Sequence, residues 1–264
     1  MKDAFRVSPE RPRTIDILGC RVSRVDLAGT LRVLERMLHG GAKHQVVCLT
    51  TNSIVAARRD RQLRSIYNRA SLALPDGLPV VWASRLLGGR IPARVAGSDF
   101  LLAASAAAVR RGYTFYLLGG GRGTAERLAE VLTGSNPGLK IVGAHSPPFH
   151  DEFPPELNAR IIAGINAANP DILWVGLGSP KQDQWVAENL QRLTVRVAVG
   201  IGAAFDMFGG GVGRAPLWMQ KSGLEWFYRF LHEPRRLFRR YFIEAPPFIP
   251  LVILEAIRQC CFPG

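Results

Sequence analysis

Apolar residues in this chain come in two alternating arrangements. Short continuous runs at 45–50, 71–74, 114–118, 140–143, 171–177 and 195–201 read as strands covered on both faces, because a strand with one wet face alternates instead. Between them lie stretches with helical spacing. Leu27, Leu31, Leu34 and Leu38 recur at turn intervals after Asp26, a cap residue, and stop at Gly40-Gly41. Residues 53–69 predict one basic amphipathic helix. Ahead of these, residues 14–23 alternate around Gly19 and predict a small N-terminal hairpin. Strand and helix in alternation predict an α/β fold, a mainly parallel, doubly wound, Rossmann-like sheet. Ligands of such sheets gather at the carboxyl ends of the strands. Thr50-Thr51-Asn52, Pro75-Asp76-Gly77 and the glycine loops at 119–123, 178–182 and 202–206 are therefore expected to face one crevice.

Composition adds a boundary and a partner class. With 264 residues and 47% hydrophobic content the chain can bury a large core, which excludes disorder for most of it. Near Gly209 the composition shifts to glycine and then to a basic aromatic segment. The expected division is a basic tail at 1–13, an α/β core at 14–212 and a basic, aromatic, helical, membrane-associating appendage at 213–264. A net charge of +13 implies an anionic partner: nucleic acid, anionic lipid or a phosphorylated substrate. No run reaches the roughly 18 apolar residues that span a bilayer. The best candidate, 248–262, is interrupted by Pro250, Glu255 and Arg258 and is suited to lying on a membrane. Cys20, Cys48, Cys260 and Cys261 lack metal-site spacing, and the N-terminus lacks a signal-type apolar stretch, so a reduced cytoplasmic setting is expected.

The candidate chemistry begins at Asp76, which a Pro-Asp-Gly turn holds at the end of a strand. That is a place for a working carboxylate, although the same residue could cap the helix starting near Leu78. Arg94 supplies a cation on the following loop. The segment 116–126 is a strand, a glycine loop and a helix start, which suits a nucleotide or diphosphate, or else a tight turn packing helix on sheet. It lacks the third glycine and the ribose-binding acid of a dinucleotide site, and no GxxxxGK[ST] motif is present. Pro180 reads as a first helical residue with Gln182 in the first turn, where its amide could bond a phosphate or sugar oxygen or stand exposed. Asp206 could accept from a ribose or cap a helix. Residues 224–242 carry Arg229, Arg235, Arg236, Arg239 and Arg240 among seven aromatics, a composition suited to diphosphate, anionic lipid, single-stranded nucleic acid or a solvated basic face. Arg236 and Arg240 can share a helical face, whereas Arg229 precedes Pro234 and falls on a separate helix. An Asp-x-Asp metal clamp is missing, so a sugar-nucleotide enzyme of this kind would neutralise its leaving group with protein cations.

Together Thr50-Thr51-Asn52, LPDG at 74–77, RVAGSD at 94–99, GLGSPKQ at 176–182, GAAFD at 202–206, RAP at 214–216 and GLEWFYRFLHEPRRLFRRY at 223–241 resemble the WecG/TagA/CpsF family of bacterial glycosyltransferases, glycosyltransferase family 26. The resemblance implies an inverting enzyme that needs no metal or other cofactor. It would take a hexose or N-acetylhexosamine, of the N-acetylmannosamine type or glucose, from a UDP-sugar to a polyprenyl-diphosphate-linked sugar. The setting implied is cell-surface polysaccharide synthesis, peripheral on the inner face of the cell membrane, with no nucleic-acid partner and homo-oligomer formation left open. By resemblance Asp76 is the general base, and Thr50, Asn52 and Arg94 are pocket residues. Gln182 and Asp206 would hold the donor, and Arg229, Arg236 and Arg239 would be appendage arginines that close over the site. Two departures stand out: Asp183 follows Gln182 where the family usually has Glu, and His145-Ser-Pro-Pro-Phe replaces a glycine-aromatic pattern. The alternative from a different class is a non-catalytic basic protein binding membrane or nucleic acid on an α/β scaffold.

Overall fold

The computed structural model describes residues 12–210, 213 and 215–261, without the side chains of 217, 220, 221 and 236. The tail expected at 1–13 therefore falls outside the described residues up to position 11, as do Arg214 of the RAP motif and the side chain of Arg236.

Strands β1 (Thr14–Ile17) and β2 (Cys20–Ser23) form the antiparallel hairpin, turning at Leu18 and Gly19. Helix α1 (Leu27–His39) follows, and Asp26 caps it by accepting from Gly29 N at 2.7 Å. The main sheet contains β3 (His44–Leu49), β4 (Leu72–Pro75), β5 (Thr114–Gly119), β6 (Lys140–His145), β7 (Ile172–Gly176) and β8 (Val197–Gly200). Its order is β4-β3-β8-β7-β5-β6, and each neighbouring pair is parallel. Strand β3 shows why the runs are continuously apolar. Val46 and Cys48 point into one buried cluster while Val47 and Leu49 point into another on the opposite face, so neither face meets water.

The stretch expected as one helix at 53–69 is two, α2 (Thr51–Arg59) and α3 (Arg61–Arg69). Asp60 breaks it. Its backbone is extended at φ −116° and ψ 107°, and its carboxylate accepts from Gln62 N and Leu63 N, ending one helix and capping the next. The apolar periodicity runs through the break, which hid it.

The connecting helices are α4 (Leu78–Leu86), α5 (Gly97–Arg111), α6 (Thr124–Ser135), α7 (Pro155–Ala168), α8 (Lys181–Asn189) and α9 (Ala203–Gly209). After them come α10 (Leu217–Ser222), α11 (Glu225–His232), α12 (Pro234–Phe238), a π-wound segment Arg239–Glu244 and α13 (Phe248–Cys261). Helix α13 is anchored: Phe248 and Val252 are buried in the same cluster as Val47, Leu49, Val80 and Val81. No helix among the described residues is long and apolar enough to cross a membrane.

Candidate active site

A cavity of about 740 Å³ opens at the carboxyl ends of β4, β3, β8 and β7 and is roofed by the C-terminal helices. Thr50, Asn52, Asp76, Arg94, Gln182, Asp206 and Arg229 all line it. Thr50, Asn52, Asp76, Gln182 and Asp206 follow strand ends that sequence pattern marks as the crevice, whereas Arg94 comes from the loop before α5 and Arg229 from α11.

Asp76 is fixed from both sides. Its backbone N–H bonds Leu49 O at 3.0 Å on β3, and Pro75 O accepts from Val95 N at 2.9 Å, which draws the loop carrying Arg94 onto the end of β4. Its carboxylate Oδ2 accepts from Gly97 N, at the start of α5, at 3.4 Å. Asp76 does not cap α4: Gly77 holds that position with no side-chain bond. Burial raises the Asp76 carboxyl above the ordinary aspartate value, Arg94 and the Gly97 N–H oppose the rise, Glu225 adds to it and Arg240 opposes it. A carboxylate so placed is a better proton acceptor near neutral pH than one in water.

Arg94 forks between two carboxylates, bonding Glu225 Oε2 at 3.0 Å and Asp99 Oδ2 at 3.2 Å. Glu225 lies on α11, so this pair ties the C-terminal helices to the core. A second tie runs from Asn52 Nδ2 to Arg240 O at 2.7 Å. Close packing adds a third: Gly223 has φ +77°, and a Cβ there would sit 2.6 Å from Leu78 Cδ1. Thr50 caps α2 by accepting from Ser53 N, which orients this stretch toward the cavity.

The arginines of the C-terminal helices separate. Arg229 is buried on the cavity wall beside Glu233 Oε2 at 3.8 Å. Arg239 does not reach the cavity; its side chain is 80% exposed and pairs with Glu244 at 3.1 Å. Arg240, its neighbour, lines the cavity instead. Successive helical residues point in different directions, so only one of the two can face inward. Helical spacing in the sequence paired Arg240 with Arg236, but the resemblance pointed to Arg239 instead. Glu225 carries no spacing signal linking it to Arg94, 131 residues earlier.

The loop at 119–123 lies outside the cavity lining. Strand β5 stands beyond β7 in the sheet order, so its loop is displaced from the ends of β4, β3 and β8. The loop packs helix on sheet: Gly120 lies against Thr124, and Ser146 Oγ accepts from Ala125 N at 2.9 Å at the start of α6. Of the two sequence readings, the tight turn is the one the geometry favours.

The loop after β7 does reach the cavity. Pro180 precedes α8, and Gln182 is buried in its first turn against Gly200, where a Cβ would come within 2.9 Å of Gln182 Nε2. Asp206 lies inside α9, whose cap is Gly202, so it is not a cap. Beneath Gln182, Asp183 is 1% exposed, and its Oδ2 accepts from Ser179 Oγ at 3.2 Å and Tyr67 OH at 3.3 Å. Gln182 Oε1 and Asp183 Oδ1 are buried without a hydrogen-bond partner among the described residues. Burial pushes the Asp183 carboxyl up to about 7, with the Ser179 and Tyr67 bonds pulling the other way.

That shift fixes a pH dependence. A folded value near 7 above an unfolded value near 3.9 means that the folded chain holds the extra proton between them. The stabilisation is full below the unfolded value and is lost as pH rises through about 7. Asp183→Asn removes this titration. Denaturant unfolding of wild type and variant is expected to show their stability difference moving in the variant's favour by about 2–3 kcal/mol from pH 5 to pH 9. A constant difference over that range would contradict the assignment.

A parallel α/β sheet with a strand-end cavity does not by itself fix the chemistry, and comparison with known proteins narrows the class to the glycosyltransferases. Residues 15–260 match the profile of the Glycosyl transferase WecG/TagA/CpsF family, and the chain belongs to that family. Among its relatives is the N-acetylglucosaminyldiphosphoundecaprenol N-acetyl-beta-D-mannosaminyltransferase of Bacillus subtilis (strain 168), 32% identical over 200 residues, covering 76% of this chain and 75% of the relative. The protein of the same description from Bacillus spizizenii is 28% identical over 197 residues, covering 75% and 74%. The chain is thus an enzyme, a hexosyltransferase by the kind of its relatives.

Proposed function

We propose that this enzyme transfers a hexose or N-acetylhexosamine, of the N-acetylmannosamine type or glucose, from a UDP-sugar to a polyprenyl-diphosphate-linked sugar, with inversion and without a metal ion. The product would serve bacterial cell-surface polysaccharide synthesis. The single observation that carries the reading is Asp76, held on the cavity wall with its carboxyl raised and Arg94 beside it. The relatives' names supply the acceptor class, a sugar on diphosphoundecaprenol.

In this mechanism Asp76 takes the proton from the acceptor hydroxyl as its oxygen attacks the anomeric carbon from the face opposite UDP. The bond from that carbon to the UDP oxygen breaks, and UDP leaves with the electron pair. One displacement inverts the centre. Arg94, Arg229 and Arg240 line the cavity and would offset the negative charge developing on the diphosphate. Gln182 and Asp206 line the same cavity and would hold the donor, with Thr50 and Asn52 completing the pocket. Arg94 and Arg229 already carry carboxylate partners, so a bound diphosphate has to share these cations with Glu225, Asp99 and Glu233.

We place the enzyme on the cytoplasmic face of the membrane. The support is a basic aromatic surface along α11 to the π-wound segment, where Trp226, Phe227, Leu231, Phe238, Phe242 and Ile243 are exposed. Rings at headgroup level and arginines near anionic lipid suit that setting.

The test is UDP release by purified protein from a panel of UDP-sugars, with a short-chain polyprenyl-diphosphate N-acetylglucosamine as acceptor and a chelator present. One donor is expected to give acceptor-dependent release that the chelator leaves intact. Release that stops with chelator would refute metal independence. No release from any donor, together with salt-sensitive oligonucleotide binding that UDP does not displace, would favour the non-catalytic alternative.

A further inference from the structure

Two apolar stripes start at the cavity wall and leave it along neighbouring helices. On α4, Leu78, Trp82 and Leu86 recur every four residues and so share a face. On α13, Ile249, Ile253 and Ile257 do the same. Leu78 and Ile249 line the cavity. Trp82, Leu86 and all three isoleucines are between 46% and 62% exposed. The helices pack against each other, and both run from the cavity toward the β1–β2 hairpin. At the far end of α4, Gly89 lies against Ile15, while Glu255 of α13 accepts from Leu18 N at 3.4 Å. Eight residues of helix carry each stripe about 12 Å from the cavity.

We propose that these two stripes form a track for the polyisoprenoid chain of the acceptor, beginning where its diphosphate enters the cavity. The proposal rests on the transferase reading above and adds where the lipid lies. Charge complementarity selects this occupant. An anionic head joined to an apolar tail matches a cavity where Arg94, Arg229 and Arg240 stand among Asp76, Asp206 and Glu225 as the groups able to hold a diphosphate, and from which the apolar stripes lead directly. A bilayer alone explains exposed apolar residues but not stripes whose first members are cavity residues. A second protein copy would explain the stripes but has no use for the cations.

Binding of geranylgeranyl diphosphate and of inorganic diphosphate, measured by calorimetry without detergent below the lipid's aggregation limit, tests this directly. The prenyl compound is expected to bind at least about tenfold more tightly, because the buried isoprene units add apolar contact that diphosphate lacks. Trp82→Gln and Ile253→Gln are expected to bring the ratio close to one, with circular dichroism reporting that the fold is kept. Comparing the two ligands on the same variant cancels changes at the head site. Equal affinities in the wild type would overturn the track. A ratio that survives both variants while they lose sedimentation with acceptor-free vesicles would show that the helices touch only bulk lipid, and would also overturn it. The same holds for a surviving ratio with a change from dimer to monomer, which would make the face an interface between copies. If the ratio behaves as expected but no UDP-sugar supports transfer, the track stands and the UDP-sugar reading falls.

Discussion

Asp76→Asn is expected to leave a folded protein that binds UDP and transfers sugar about 100 to 10,000 times more slowly, the range associated with loss of a general base. The amide is isosteric, and its oxygen can still accept from Gly97 N, the bond that seats the side chain at the start of α5. Only the proton acceptor is lost. Burial disfavours the charged carboxyl, so the neutral amide should not destabilise the fold at neutral pH. The sign of the pH dependence follows from the same cause. A base works deprotonated, so wild-type activity is expected to fall as pH drops through a value raised by burial above that of an ordinary aspartate, and the residual activity of the variant should lack that limb. Turnover of Asp76→Asn equal to wild type in a purified assay would sink the base assignment.

Arg94→Ala is expected to lose activity by about 100- to 1,000-fold and stability by about 2–5 kcal/mol, for two separable reasons. The first is the missing cation beside Asp76, which in the proposed mechanism offsets the charge of the departing diphosphate. The second is structural: Glu225 and Asp99 lose a shared guanidinium, and the tie between α11 and the core breaks. The double variant Arg94→Ala with Glu225→Gln tells them apart. Neutralising Glu225 removes one uncompensated charge and is expected to recover part of the stability in denaturant unfolding. Transfer should stay lost, because no cation has returned. Recovery of transfer together with stability would mean that Arg94 serves only to hold the helix in place.

The parallel sheet was legible in the sequence because burial on both faces leaves no alternation, and β3 shows the two clusters that make it so. The position of Asp76 was legible for a local reason, the stiff turn at a strand's end. What failed to show depended on distances between elements or on local chemistry overriding period. Asp60 splits a helix with two hydrogen bonds that apolar spacing does not register. The loop at 119–123 has a suitable composition but the wrong place, and only the order of strands reveals this. Arg239 entered by resemblance alone, and only the structure shows that it pairs with Glu244 at the surface while Arg240 lines the cavity. Glu225 could not be seen as the partner of Arg94 at all, since pairing across 131 residues leaves no trace in spacing.

That separation also orders events during synthesis. A ribosome adding about 5–20 residues per second needs roughly 7 to 26 s to pass from Arg94 to Glu225. Asp76 is already present when that interval begins, Asp99 follows Arg94 within five residues, and β5, β6, β7 and β8 are added before Glu225 arrives, but there is no roof. The C-terminal helices bring Glu225, Arg229 and Arg240 to the cavity, so it closes only after these residues have been made. A prematurely terminated chain would display a strand-end cleft lacking the carboxylate partner of Arg94 and the two arginines that the C-terminal helices bring to the cavity.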